Sequence, residues 1–259
     1  VYGRIACAGD ETNGGSRYGN SEWQTRRGDR RLVGYRFRGR AGLADGAQVV
    51  VGSSNAGNVD AAVARLGRGA SGSVVNVRDE ASVAAFFERL GAFDHLVYTA
   101  GDWSPTRGGG PVAQLDLTGA TATFSVRFWG ALAAIKHAQG RISADGSITI
   151  TDGAIAHRPR KGAAISTAMA GAIEHLTRAL AVDLAPLRVN AVCPGYVLTD
   201  VWNSIPEDRR AQQLAKMTER LPLPRVGSPA EVAEAYLYLM RGGYSTGQVL
   251  IVDGGMTLI

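Results

Sequence analysis

Asp152 ends the stretch GSITITD, Gly146 to Asp152, whose alternating apolar and polar residues read as a buried strand. A carboxyl group at such a strand end loses water, which raises its pKa and makes it a usable acid near neutrality. Thr151 beside it carries a hydroxyl suited to orienting a carbonyl. The stretch GAAISTAMAGAIEHLTRAL, Gly162 to Leu180, then reads as a helix with Ile165 and Met169 one turn apart on one face. Neither side chain can donate a proton, so an acid must come from elsewhere, and Asp152 is the leading candidate. The plain alternative is a solvated loop carboxylate. His95 falls in a strand pattern and His137 and His175 in helical ones, so each is expected to be structural or exposed. His157 lies in AHRPRKG, a basic loop that would attract an anion or simply be solvated. The two cysteines, Cys7 and Cys193, suit neither a zinc site nor a disulfide framework, so no metal is expected and a reducing cytoplasm is.

The elements that position these residues alternate along the chain. Short apolar runs at 47–52, 71–77, 94–101, 146–151 and 188–193 read as strands, and GQVLIVDGG at 247–255 as a last strand and turn. Helical patterns lie between them, with a long one over 114–139. SPAEVAEAYLYLM, 228–240, opens with a Ser cap, a first-turn Pro and a Glu at the third position. Such alternation implies an α/β fold: a single-domain, three-layer, doubly wound parallel sheet of Rossmann-like form with right-handed crossovers. Ligands of such sheets sit at the carboxyl ends of the strands.

Charge excludes one function class. Residues 1–40 hold nine arginines against four acids, whereas residues 41–259 balance at 19 of each sign. The net charge of +5 therefore belongs to one segment rather than to a folded basic face, and no nucleic-acid partner is expected. No apolar run approaches the roughly 20 residues of a membrane span, and no signal-peptide pattern is seen.

The motifs YTAG (98–101), GSITIT (146–151), RALAVDLAPLRVNAVCPGYVLTD (178–200) and GQVLIVDGG occur in an order and spacing that resemble the short-chain dehydrogenase/reductase family over about residues 41–259. The resemblance implies a cofactor groove. Asn76 and Val77 would flank the adenine. Thr99, Ala100 and Gly101 would line the groove, and Pro194, Gly195, Val197 and Thr199 would meet the nicotinamide amide. In NAD-preferring members an acid ends the second strand; Gly52 is read at that position here, with Ser53 and Ser54 able to donate to a 2′-phosphate, which favours NADP over NAD. Ser53, Ser54 and Asn55 capping the next helix is the alternative.

The family's catalytic set is absent at its matching positions. Ile165 stands for the Tyr, Met169 for the Lys, Asp152 for the Ser and Arg127 for the Asn. Arg127 is expected to pair with Asp152 or to hold an anion, and Tyr196 is a second possible donor. The segment 199–222 matches a mobile substrate lid, with Trp202 as a pocket wall. The family also implies a homotetramer or homodimer acting on a small molecule.

Residues 1–40 do not fit. They show no strand or helix period and lack the family's Gly-xxx-Gly-x-Gly turn. Codons for Trp23 to Arg40 read one base later can spell GKRVVVIGGSSGIGFAVA, a strand, the turn and a helix start. An out-of-frame segment is therefore expected, with a divergent arm as the alternative. The chain as written is expected to lack the first strand and to have a damaged sheet centre. Three functions are weighed: an NADP(H)-dependent oxidoreductase on a carbonyl, enone or imine; a non-redox cyclase or isomerase with Asp152 as acid; and an inactive binding protein or translated pseudogene.

Overall fold

The computed structural model describes residues 31–34, 48–101, 110–199, 202 and 205–259. One seven-stranded sheet holds β1 (Arg31–Gly34), β2 (Gln48–Ser53), β3 (Ala70–Val74), β4 (Phe93–Tyr98), β5 (Ile142–Thr151), β6 (Arg188–Pro194) and β7 (Val249–Val252). Their spatial order is β3-β2-β1-β4-β5-β6-β7, and every pairing is parallel. All carboxyl ends therefore share one edge, and the winding direction reverses between β1 and β4, where such folds bind their ligands. The expected doubly wound α/β architecture is present.

The helices are α1 (Ala56–Leu66), α2 (Glu80–Leu90), α3 (Leu117–Phe124), α4 (Gly130–Ala138), α5 (Ala164–Asp183), α6 (Glu207–Thr218) and α7 (Pro229–Arg241). One face of the sheet carries α2, α4 and α5, where Phe86, Ile135 and Ile173 pack on Leu96, Ile148 and Ile150. The other carries α1 and α7, where Ala62, Tyr236 and Leu239 pack on Val51, Val97 and Val192. Period-2 alternation along each strand sends successive apolar side chains to opposite layers, and their removal from water drives the assembly.

Helix starts follow the capping chemistry of the sequence. Asn55, Asp79 and Asp116 each accept a hydrogen bond from a first-turn N–H of α1, α2 and α3. Ser228 and Glu231 form a reciprocal capping box on α7, with Pro229 in the first turn. Arg225 and the Ser228 backbone hold the Glu231 carboxyl down at about 2. The expected long helix over 114–139 is interrupted: a π turn, Ser125–Trp129, joins α3 to α4 and carries Arg127. In the segment expected to be a lid, α6 buries Leu214 and Thr218. Among the described residues no helix is long and apolar enough to cross a membrane.

One expectation needs correction. The first strand is not missing: Arg31–Gly34 fills the slot between β2 and β4, pairing Arg31 to Val33 with Gln48 to Val50 and Leu32 to Gly34 with His95 to Val97. A slot between two strands offers unpaired backbone groups on both sides, and a ladder reads backbone rather than side chains. A short segment such as RLVG therefore suffices. The strand has four residues beside the six of β2 and of β4. The glycine turn expected of the re-read codons, over 30–36, falls partly on this strand and otherwise outside the described residues.

The ends of β6 and β7 approach closely. A Cβ at Gly195 would lie 2.7 Å from Asp253 Cα. Gly195→Ala is expected to separate these strand ends and cost about 1–3 kcal/mol, read as a lower urea midpoint at unchanged m-value.

Candidate functional site

The carboxyl edge gathers several of the expected residues. Thr151 and Asp152 end β5, beside the turn Thr99 to Gly101 after β4 and the turn Pro194 to Thr199 after β6. The Asp152 N–H donates to Val192 O at 2.8 Å, which fixes the β5 end against β6.

Asp152 is 2 % exposed, and neither carboxylate oxygen has a hydrogen-bond donor among the described residues. Burial pushes its pKa up to about 8, and the facing Glu174 carboxyl pushes in the same direction. The Gly153 backbone and the Arg127 guanidinium oppose the rise without cancelling it. Asp152 is thus a buried acid rather than a solvated loop carboxylate. Arg127 reaches over from the π turn. A Cβ at Gly101 would lie 2.5 Å from its Nη2, so the glycine makes room for the guanidinium. Among the described residues a Cβ at Gly153 would meet only Arg127 Nη1, at 3.9 Å.

Thr151 does not fill its expected role. Its Oγ1 lies 2.8 Å from Tyr98 O and 2.7 Å from Tyr236 Oη. The single hydroxyl proton goes to the carbonyl, and the Tyr236 hydroxyl donates to Thr151. No proton is left to orient a substrate carbonyl, so Thr151 ties the ends of β4 and β5 to α7. Tyr236 is 5 % exposed, and burial pushes its phenol above its usual range, which keeps it a donor. Tyr196 is half-buried and packs edge-on against Trp202 at 6.4 Å. Trp202, 8 % exposed, donates from Nε1 to Val197 O at 2.8 Å, as a wall residue would. Ile165 is half-buried, while Met169 lies in the core at 6 % exposure.

The adenosine side stands apart from this group. A Cβ at Gly52 would lie 2.8 Å from Val75 Cγ1 and 3.3 Å from Phe86. A side chain there points into the core, so Gly52 is not the acid position it was taken for and carries no information about the 2′ substituent. Ser53 is 3 % exposed and accepts from Asn55 N at 3.3 Å, while Ser54 is exposed. Asn55 caps α1, so the capping alternative holds for that residue. Asn76 is exposed and accepts from Arg78 N, and Val77 packs beside Gly130, where a Cβ would lie 3.0 Å from it. Ala100 is buried, and Thr99, Gly101, Pro194, Gly195, Val197 and Thr199 are of intermediate exposure.

Two residues at the site were not expected from sequence, and one was underrated. Glu174 is 5 % exposed on the inner side of α5. Tyr236 lies in the buried stripe Val232, Tyr236, Met240 of α7. His157 is no free loop side chain: its Nε2 lies 2.6 Å from Glu174 Oε1. With Cys193 these residues place a nitrogen, an oxygen and a sulfur within 4.8 Å of one another, a grouping that chain spacing does not reveal. The other histidines are as expected: His95 Nδ1 meets Ser147 Oγ at 2.9 Å, His137 meets Glu80, and His175 Nδ1 meets Gly171 O.

A buried acid makes stability depend on pH. Asp152 has an ordinary pKa of 3.8 when unfolded and about 8 when folded, so the folded state binds the extra proton between those values. Stability therefore falls as pH rises through that window, by up to about 1.4 kcal/mol per pH unit, and levels off above it. Asp152→Asn is expected to abolish this component. The difference in Tm, variant minus parent, should grow from pH 4 to 8 and then stay constant.

Comparison with known proteins accords with this geometry. The family profile described as enoyl-(acyl carrier protein) reductase matches residues 40–257. The short-chain dehydrogenase/reductase ATR9 of Stachybotrys chlorohalonatus is 33% identical over 231 residues, covering 83% of this chain and 88% of that protein. A small-chain dehydrogenase solved in complex with NADPH superposes with a TM-score of 0.73 at 31% identity, over 90% of this chain and 100% of that one. The MalC reductase/Diels-Alderase of Malbranchea aurantiaca gives a TM-score of 0.81 at 26% identity, over 90% and 97% of the two chains. With its profile match, its relatives and its sheet all in agreement, the chain belongs to the short-chain dehydrogenase/reductase family of oxidoreductases.

Proposed function

We propose that this protein, with residues 23–40 re-read in frame, is an NADP(H)-dependent reductase of a small molecule in which Asp152 replaces the family's tyrosine as proton donor. The observation that carries the reading is the buried Asp152 carboxyl at the end of β5, which makes no well-formed hydrogen bond among the described residues and is raised to about 8. At neutral pH such a group is largely protonated and can give its proton where substrate charge develops. A bound nicotinamide supplies hydride. Ser53 and Ser54 meet the 2′ side, Asn76 and Val77 the adenine, and Thr99 to Gly101, Pro194, Gly195, Val197 and Thr199 the remainder of the groove. Arg127 holds the substrate oxygen or an anionic group from above Gly101. Tyr196 and Trp202 wall the pocket.

The choice of NADP(H) is supported by the NADPH complex of a similar protein and by serines where an acid would repel a phosphate. The substrate is read as an enone or imine before a simple ketone, because C=C and C=N reduction places less demand on a tyrosine-like acid. The likeness to a reductase/Diels-Alderase favours a second reading, ring closure in the same groove with Asp152 as acid and no net redox change. The protein is further read as cytoplasmic and as a symmetric homo-oligomer.

The reading extends to the N-terminal segment. We propose that residues 23–40 as written are out of frame and that the re-read text, with glycines at 30, 34 and 36, supplies the pyrophosphate turn. NADPH is expected to raise the Tm of the re-read chain and to leave the written chain unchanged. Sequencing the codons for 23–40 checks the frame. Against enone and imine panels, Asp152→Asn should lower kcat by about 10²-fold or more, and Arg127→Met should raise KM. Unchanged turnover in Asp152→Asn would remove that residue from the chemistry. Product formed without NADPH oxidation would select the ring-closing reading.

A further inference from the structure

Glu174 and His157 have no part in the reading above, yet they sit against its acid. Glu174 comes from the inner side of α5 and is 5 % exposed. Its Oε1 and both oxygens of Asp152 are buried with no hydrogen-bond partner among the described residues, and the two carboxyl groups act on each other. Were both ionised, neither oxygen of Asp152 would have a donor. Two acceptors facing each other in a water-poor site repel, and one proton between them converts the contact into a hydrogen bond. Glu174 Oε1 also lies 2.6 Å from His157 Nε2 without the alignment of a formed hydrogen bond, so a small turn of the imidazole, whose side chain is 35% exposed, completes the contact. The imidazole is held there by its position just past the short 3-10 turn Ala154–Ala156, where its backbone N–H donates to Ala154 O.

The remaining neighbours leave this path open. Arg178, four residues on along α5, stands 3.6 Å from the other Glu174 oxygen and is half-exposed. Cys193 is fully buried, and burial together with Asp152 and Glu174 pushes its thiol above its usual range, so it remains an S–H. Asp253 is committed to the N–H groups of Gly255 and Thr257. Arg127 faces Asp152 from the π turn, and Tyr236 is engaged by Thr151. A metal fits less well than a proton. Ligands about 2.0–2.3 Å from a tetrahedral zinc stand more than about 3 Å apart, whereas the His157 to Glu174 contact is 2.6 Å.

We propose that Asp152 and Glu174 share one proton, and that His157 links this pair to solvent as a relay which recharges Asp152 after each turnover. The relay rests on Asp152 being the proton donor. Asp152 gives its proton to the substrate, leaving two carboxylates face to face. His157 then passes its Nε2 proton to Glu174 and takes one from solvent at Nδ1, the pair regains its shared proton, and the solvent-accessible imidazole exchanges back to its Nε2–H tautomer before the next turnover. The net exchange is one solvent proton per hydride accepted by the substrate. Glu174 and His157 touch neither substrate nor cofactor and act through Asp152. The path substitutes for the hydroxyl and ammonium that Ile165 and Met169 cannot offer.

Infrared spectroscopy of the whole chain reads the shared proton without a substrate. A protonated-carboxyl band is expected at pH 7, lost on titration above pH 8 and absent in Asp152→Asn. In Glu174→Gln burial still favours neutral Asp152 but the facing carboxyl is gone and the amide can donate, so the band should weaken at pH 7 and titrate at lower pH while the protein stays folded. His157→Gln should keep the band but slow its shift in D2O by about tenfold, and added imidazole should restore the rate. A band unchanged by Glu174→Gln, or an exchange rate unchanged by His157→Gln, overturns the relay. If these results hold while the re-read chain consumes NADPH with none of the substrates, the relay stands and the reductase reading fails. If turnover needs Asp152 but ignores Glu174 and His157, the reverse follows.

Discussion

Two carboxyl groups facing each other without a donor between them set the terms for this molecule. Asp152 and Glu174 are both nearly devoid of solvent contact. Keeping two negative charges in such a place is expensive, because burial removes hydration and weakens screening together. The compensation that the structure offers Asp152 is partial: one backbone group at Gly153 and the guanidinium of Arg127. The remaining imbalance keeps a proton in the site at pH values where an ordinary aspartate has lost it. An acid is thereby retained at the end of β5.

The scaffold around this contact explains why it can persist. The ends of β4, β5 and β6 are locked by Thr151 to Tyr98, by Asp152 to Val192 and by Gly195 to Val252. Behind them Ile148, Ile150 and Val189 are fully buried beneath α4 and α5. Strained electrostatics at one edge is supported by this apolar packing, as is usual where folds carry function. Arg127 owes its place to a widened turn between α3 and α4 and to the missing Cβ of Gly101. A side chain at Gly101 would displace the guanidinium from this place.

Much of this could be read along the chain. The strands and the α7 capping box follow from apolar alternation and from Ser228, Pro229 and Glu231, which act locally. Asp152 at a strand end was legible for the same reason. Glu174 was not singled out, although it lies four residues past Ala170 on the side of α5 that buries Ile173 and Thr177. A charge on that stripe was the available signal. His157 and Cys193 are joined to Glu174 only by the crossover from β5 through α5 to β6, which no local pattern records. Gly52 misled because the end of β2 was read without its side-chain direction, which the pleat sends toward Val75. The first strand was judged absent because RLVG is too short to show a period, whereas the slot between β2 and β4 needs only a backbone.

The central claim is that Asp152 keeps its proton near neutrality in the folded chain. Carbon-13 NMR of protein labelled at aspartate carboxyl carbons, with the Asp152 signal assigned by Asp152→Asn, measures this directly. The account predicts a titration midpoint near 8 for that carbon. A midpoint in the ordinary aspartate range, at about 4, would contradict it.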